Sequence, residues 1–132
     1  MTFGWRHEFR ERRWEDVSEI LERVNWEDEQ ADYLLEIIGS VVNAGADRLL
    51  AITTSMHDLV VAPKPISAPP LDVVLVAAPG SLRRHAKSTV RIDHIAVNGP
   101  DTEITRPAAD AVPLFWRFMR VEFGLSTVGP EQ

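Results

Sequence analysis

Leu71-Asp72-Val73-Val74-Leu75-Val76-Ala77-Ala78 is apolar on both parities, with Leu71, Val73, Leu75 and Ala77 alternating with Val74, Val76 and Ala78. Successive strand residues point to opposite faces, so a strand of this composition must be covered on both sides and belongs in the middle of a sheet. On either side of it, β-branched runs recur between turn residues and predict strands near Arg48–Thr54, Leu59–Ala62, Thr89–Val97 and Thr102–Arg106. No helical pattern separates these runs, so the sheet is expected to be an antiparallel meander of four or five strands rather than a set of parallel βαβ units. Pro63, Pro65, Pro69 and Pro70 break the chain into an extended loop before the central strand.

Outside the strands the apolar period changes from two to about 3.6. Trp14, Val17, Ile20, Leu21 and Val24 form one stripe, with Glu15, Asp16, Glu19 and Glu22 opposite. A second helix is predicted from Trp26 to about Asn43, capped by Asn25, with Glu27, Asp28 and Glu29 at its positive end and Gly45 as its stop. A third runs from about Ala108 or Val112 to Phe123, with Gly124 as its stop. The expected architecture is an α+β domain with two N-terminal helices, a meander sheet and a C-terminal helix packed on the sheet. Residues 14–125 form that domain, 1–13 an arm or extra helical turn, and 126–132 a flexible tail.

The fourth strand gives a register expectation. A loop of Asn98 to Asp101 would set Val97 opposite Thr102, Ile95 opposite Ile104 and Asp93 opposite Arg106, pairing like with like and acid with base. A three-residue loop would instead set His94 opposite Arg106.

The chain has 132 residues, a net charge of −6 and no cysteine, which excludes thiol catalysis, thiolate zinc and iron–sulfur chemistry. Its length is enough for one core without a disulfide or metal staple. No apolar run approaches the roughly 20 residues of a membrane helix, and the Arg-rich first 13 residues do not read as a signal peptide, so a cytoplasmic protein without membrane contact is expected. The charge is blocky. Residues 14–36 hold nine carboxylates against Arg23 alone, whereas residues 81–91 hold Arg83, Arg84, Lys87 and Arg91 and no acid.

That basic segment is the best candidate for chemistry. Ser81, Arg83, Arg84, His85, Lys87 and Arg91 could hold an anion such as phosphate or carboxylate, because guanidinium forks and hydroxyls donate to oxyanions. No Gly-Lys-Ser/Thr follows Gly80, so it is not a Walker loop. The second candidate is an interaction surface made of Phe115, Trp116, Phe118 and Met119 on the C-terminal helix, with Glu19 and Glu22 on the acidic helical face. A helix apolar around most of its circumference needs cover, from its own domain or from another chain, and the first arrangement is the commoner.

Other constellations carry less. Asp93 and His94 are adjacent in a strand and so point to opposite faces, which separates base from orienting acid. Met56-His57-Asp58 reads as a turn, and although Ser55, His57 and Asp58 compose a triad on paper, no nucleophile elbow accompanies them. No His or carboxylate spacing marks a metal site, and no cofactor is expected. Trp5 to Trp14 interleaves aromatics with Arg as single-strand binders do, but two acids dilute it and the chain is acidic overall, which argues against nucleic acid. These residues point first to a non-enzymatic interaction or regulatory protein, immunity- or chaperone-like, binding a protein partner or itself as a homodimer. An anion-binding domain or enzyme built on the 81–91 segment comes second, and nucleic-acid binding third.

Overall fold

The computed structural model describes residues 4–26 and 30–125. The 126–132 tail and the acidic run Glu27 to Glu29 lie outside the described residues. The elements in chain order are α1 (Trp14–Arg23), α2 (Asp32–Asn43), a 3-10 turn (Ala46–Arg48), β1 (Leu50–Ser55), β2 (Asp58–Pro63), β3 (Val73–Val76), β4 (Thr89–Ile95), β5 (Thr102–Pro107), a second 3-10 turn (Ala108–Asp110) and α3 (Ala111–Phe123). The strands form one sheet in the order β1-β2-β3-β4-β5, every neighbour antiparallel. This is the α+β meander that the sequence predicts, with β3 at its centre.

The two parities of the strands build two cores. On one face Leu50, Ile52, Leu59, Val61, Val74, Val76, Val90 and Ile92 pack against Val17, Leu21, Leu34, Ile37, Val41, Phe115 and Met119 of the three helices. On the other, Ala51, Val60, Ala62, Val73, Leu75 and Ile95 pack against Phe9, Leu71, Trp5 and Ile66. Each fully buried aliphatic side chain contributes roughly 1.5–3 kcal/mol of apolar transfer, and all four β3 residues are buried.

The second core shows which of the two expected forms, arm or helical turn, the N-terminal stretch takes. Residues 4–12 form no helical turn; they run extended across the sheet face that the helices leave bare. The Trp5 N–H donates to Leu71 O at 2.8 Å, the Leu71 N–H returns the bond to Trp5 O at 3.1 Å, and the Arg12 N–H donates to Ile52 O at 2.8 Å. Gly4 permits the approach: it sits at φ +94°, and a Cβ there would lie 2.8 Å from Val97 Cγ2. An extended arm covers more sheet per residue than a helical turn, and Phe9 is its buried anchor.

The second helix begins at Asp32, not Trp26. Trp26 instead donates its Nε1–H to Leu21 O at 3.1 Å, adding a second donor to a carbonyl at the end of α1 that also accepts from the Val24 N–H. Gly45 at φ 73° and Gly124 at φ 69° end α2 and α3 as expected.

Neither expected β4–β5 register forms. Ile92 faces Ile104, Asp93 faces Glu103, His94 faces Thr102 and Val90 faces Arg106. The strand pair separates sooner than the sequence suggests, because side chains take the next backbone donors: Asp101 Oδ1 accepts from the Ala96 N–H at 3.0 Å and Asp72 Oδ1 from the Val97 N–H at 2.6 Å. Ile104 then packs against the helix-side core beside Ile92, and the two facing acids are bridged by Arg91.

The C-terminal helix is core. Phe115, Phe118 and Met119 are buried, and half-buried Trp116 donates its Nε1–H to Ser40 Oγ of α2 at 3.0 Å. Phe115, Phe118 and Met119 therefore offer no free interaction surface and Trp116 only part of its ring: the sheet and α2 supply the cover that the apolar circumference requires. Glu19 and Glu22 remain exposed on α1. No helix among the described residues is long and apolar enough to cross a membrane.

Candidate functional site at the loop end of the sheet

The β1–β2 turn, the 79–88 loop and the N-terminal arm meet at one end of the sheet. Ser55 pairs with Asp58 across a two-residue turn, with Met56 at φ 58°. The tight turn projects Met56 outward and leaves it 81% exposed. From the same position Asp58 reaches the neighbouring loop, where its carboxylate accepts from the Ala78 N–H and the Ser81 hydroxyl, each at 2.8 Å. Burial pushes the Asp58 carboxyl above the ordinary aspartate range; those two hydrogen bonds and the charges of Arg83 and His85 oppose the shift without cancelling it.

The basic segment is not free of acids in space. Asp93, 3% exposed on the arm side of the sheet, accepts from Arg83 Nη1 at 2.7 Å, Arg91 Nε at 2.9 Å and Arg91 Nη2 at 3.1 Å. Arg91 Nη2 also reaches Glu103 Oε1 at 3.0 Å. The hydrogen bond to Asp93 is the main cause of a raised Arg91 pKa, against the opposing effect of burial. Two of the four cations thus neutralise a carboxylate that the β4 register buries. The acids of α1 and α2 play no part in this among the described residues.

The rest of the loop is held from within. His85 Nε2 lies 3.1 Å from Ala78 O and its Nδ1 3.1 Å from Thr89 Oγ1, while the Thr89 hydroxyl donates to Ala86 O. The Ser81 N–H donates to Ala78 O, Arg91 Nη1 donates to Arg84 O, and the Ala108 N–H donates to Ser88 O. Ser88 adopts φ 63° and Gly80 φ 79°, so the backbone doubles back twice within ten residues.

Two clefts flank this loop. One, of about 470 Å³, lies between the loop, the β1–β2 turn and the arm, and its walls include Trp5, His7, Met56, Asp58, Leu82 and Arg83. The other, of about 400 Å³, lies on the loop's far side and includes Gln30, Ser81, Arg84, His85, Lys87 and Ser88. The six residues read as one anion site are therefore divided. Ser81, Arg84, His85 and Lys87 share the second cleft, Arg83 lines the first, and Arg91 lines neither.

The two exposed apolar residues beside the first cleft, Met56 and Leu82, have no signature in the sequence, since neither belongs to a periodic pattern. The Asp58 contact had a partial signal in the hairpin turn, but its partner lies about 20 residues away. His57 packs edge-on against Trp26 with ring centroids 5.4 Å apart, and among the described residues no hydrogen bond joins Ser55, His57 and Asp58 into a relay. His94 lies on the helix side, its Nδ1 3.1 Å from Glu122 Oε1 and its ring edge-on to Phe123, well apart from the Asp93 face. No group of three His, Asp or Glu residues that could hold a metal ion occurs among the described residues.

Compared with protein-family models, curated proteins and solved structures, the chain matches none.

Proposed function

We propose that the protein is a non-enzymatic interaction protein, of the accessory, immunity- or chaperone-like kind, which grips a cytoplasmic protein partner at the loop end of its sheet. The observation that carries this reading is the pair Met56 and Leu82, 81% and 89% exposed on the walls of a single cleft. Large apolar side chains exposed beside one cleft gain transfer energy when a partner covers them, which offsets the rotamer freedom they lose. The neighbouring cations Arg84 and Lys87 favour a partner that presents carboxylates next to an apolar side chain. A second copy of this chain, with its exposed acidic α1, meets that description and makes the homodimer one form of the reading.

The test is a paired capture experiment with wild-type protein and a Met56→Ser/Leu82→Ser variant as baits, followed by light scattering of each alone. A polypeptide, or a second copy, held by the wild type and lost from a variant with an unchanged unfolding midpoint supports the reading. Equal capture by both baits removes it.

A further inference from the structure

The second cleft, whose Arg84 and Lys87 also flank the proposed partner surface, carries an inference about a small ligand. Its wall from Arg84 to Ser88 is fixed at both ends: the Asp58–Ser81 bond at 2.8 Å holds the entry, and the Ser88 O to Ala108 N–H bond at 2.8 Å holds the exit. The neighbouring carboxylates are all engaged elsewhere, Asp93 and Glu103 by Arg83 and Arg91 and Asp58 by the Ala78 N–H and Ser81. Among the described residues no carboxylate pairs with Arg84 or Lys87, and no protein acceptor takes the N–H groups of Arg84, His85, Ala86, Lys87 or Ser88.

A loop with two unpaired cations, a run of free backbone donors and a left-handed Ser88 has the properties of an anion receptor. We propose that this cleft binds a multiply charged oxyanion, a phosphate or polycarboxylate group of a small molecule, with Arg84 supplying a planar fork and Lys87 a point charge. The His85 ring pins the loop to its own ends, since Ala78 O and Thr89 Oγ1 hold both of its nitrogens. Gln30, on the opposite wall, adds a neutral donor suited to a ligand oxygen.

Amide-resolved NMR titration of the full chain tests this, with sodium pyrophosphate and trisodium citrate as probes at constant ionic strength. Saturable shifts confined to residues 80–89 and Gln30 are expected, weakened at least about tenfold in Arg84→Ala/Lys87→Ala, a difference of roughly 1.4 kcal/mol. Both side chains are exposed, so the variant should unfold at the wild-type midpoint. Saturation by pyrophosphate alone identifies a phosphate ligand, and saturation by citrate alone a polycarboxylate. Shifts that rise linearly and match those produced by sodium chloride, or an affinity unchanged in the double variant, overturn the proposal. Met56→Ser, outside this cleft, should leave the titration intact while weakening partner capture, so that variant distinguishes failure of one proposal from failure of the other.

Discussion

Replacing Arg91 with methionine would remove two of the three hydrogen bonds to the buried Asp93 carboxylate, those at 2.9 and 3.1 Å, and leave the 2.7 Å bond from Arg83. Methionine keeps most of the aliphatic stem, so the change isolates the charge and the donors rather than packing. Removing one partner of a buried ion pair typically costs about 3–5 kcal/mol, because the other charge is left desolvated. Arg83 still compensates Asp93, which places Arg91→Met near the lower end, at about 3 kcal/mol. The side chain of Arg91 is only 18% exposed and that of Asp93 4%, so solvent screening reduces this little. For a chain of this length the melting temperature should fall by about 10 °C. Urea unfolding at pH 7, followed by far-UV circular dichroism, measures the loss, with an unchanged denaturant slope showing that the folded and unfolded states keep their exposure. A double variant, Arg91→Met/Asp93→Leu, should recover much of it, since an apolar pair needs no compensation. A single-variant loss below about 1 kcal/mol would refute the reasoning, for that is the range of a solvated surface pair.

Three further outcomes follow from the same geometry. Because burial raises the Asp58 pKa, the folded state holds that proton more tightly than the unfolded chain, and stability is lost as pH rises from the ordinary aspartate range to the raised value. Asp58→Asn removes this loss, so its stability relative to wild type should improve between pH 3.5 and pH 7, and a parallel pair of pH–stability curves would contradict the assignment. Gly4→Ala places a Cβ against Val97 and Leu71 O at φ +94°, which should cost about 1–3 kcal/mol and expose the arm to limited proteolysis near Trp5; an arm that stays protected would show that it is not anchored there. Phe115→Ala should cost about 3–5 kcal/mol in urea unfolding without changing the mass in solution, whereas a change of oligomeric state with little loss of stability would return α3 to the role of an interface.

How much of the fold the sequence disclosed depends on how local each signal was. The doubled parity of Val73 to Val76, the α1 stripe through Trp14, Val17 and Leu21 and the glycine stops at Gly45 and Gly124 are periodic or positional, and each appears in the structure as read. The β4–β5 register failed because it was inferred from pairwise matching alone, while Asp101 and Asp72 compete for the backbone donors at the end of β4. The start of α2 was misplaced because the Trp26 indole folds back onto Leu21 O of α1 instead of opening the next helix, which begins at Asp32. In the candidate site, the basic residues were legible as a cluster, but their division between two clefts was not, since the acid that claims Arg83 and Arg91 belongs to a strand.

The sequence by itself determined the class of this protein: a central strand apolar on both sides requires two covering layers, and helical and strand periods say where each element lies. The tertiary structure alone decided what covers the second layer and which charges remain unspent. An extended arm rather than a helix lies over the far face because Gly4 lets it pair with Leu71. Asp93 is buried by register and draws two arginines to itself, and Arg84 and Lys87 are left without carboxylate partners among the described residues. Coulomb energies depend on distance and burial, and neither is fixed by order along the chain.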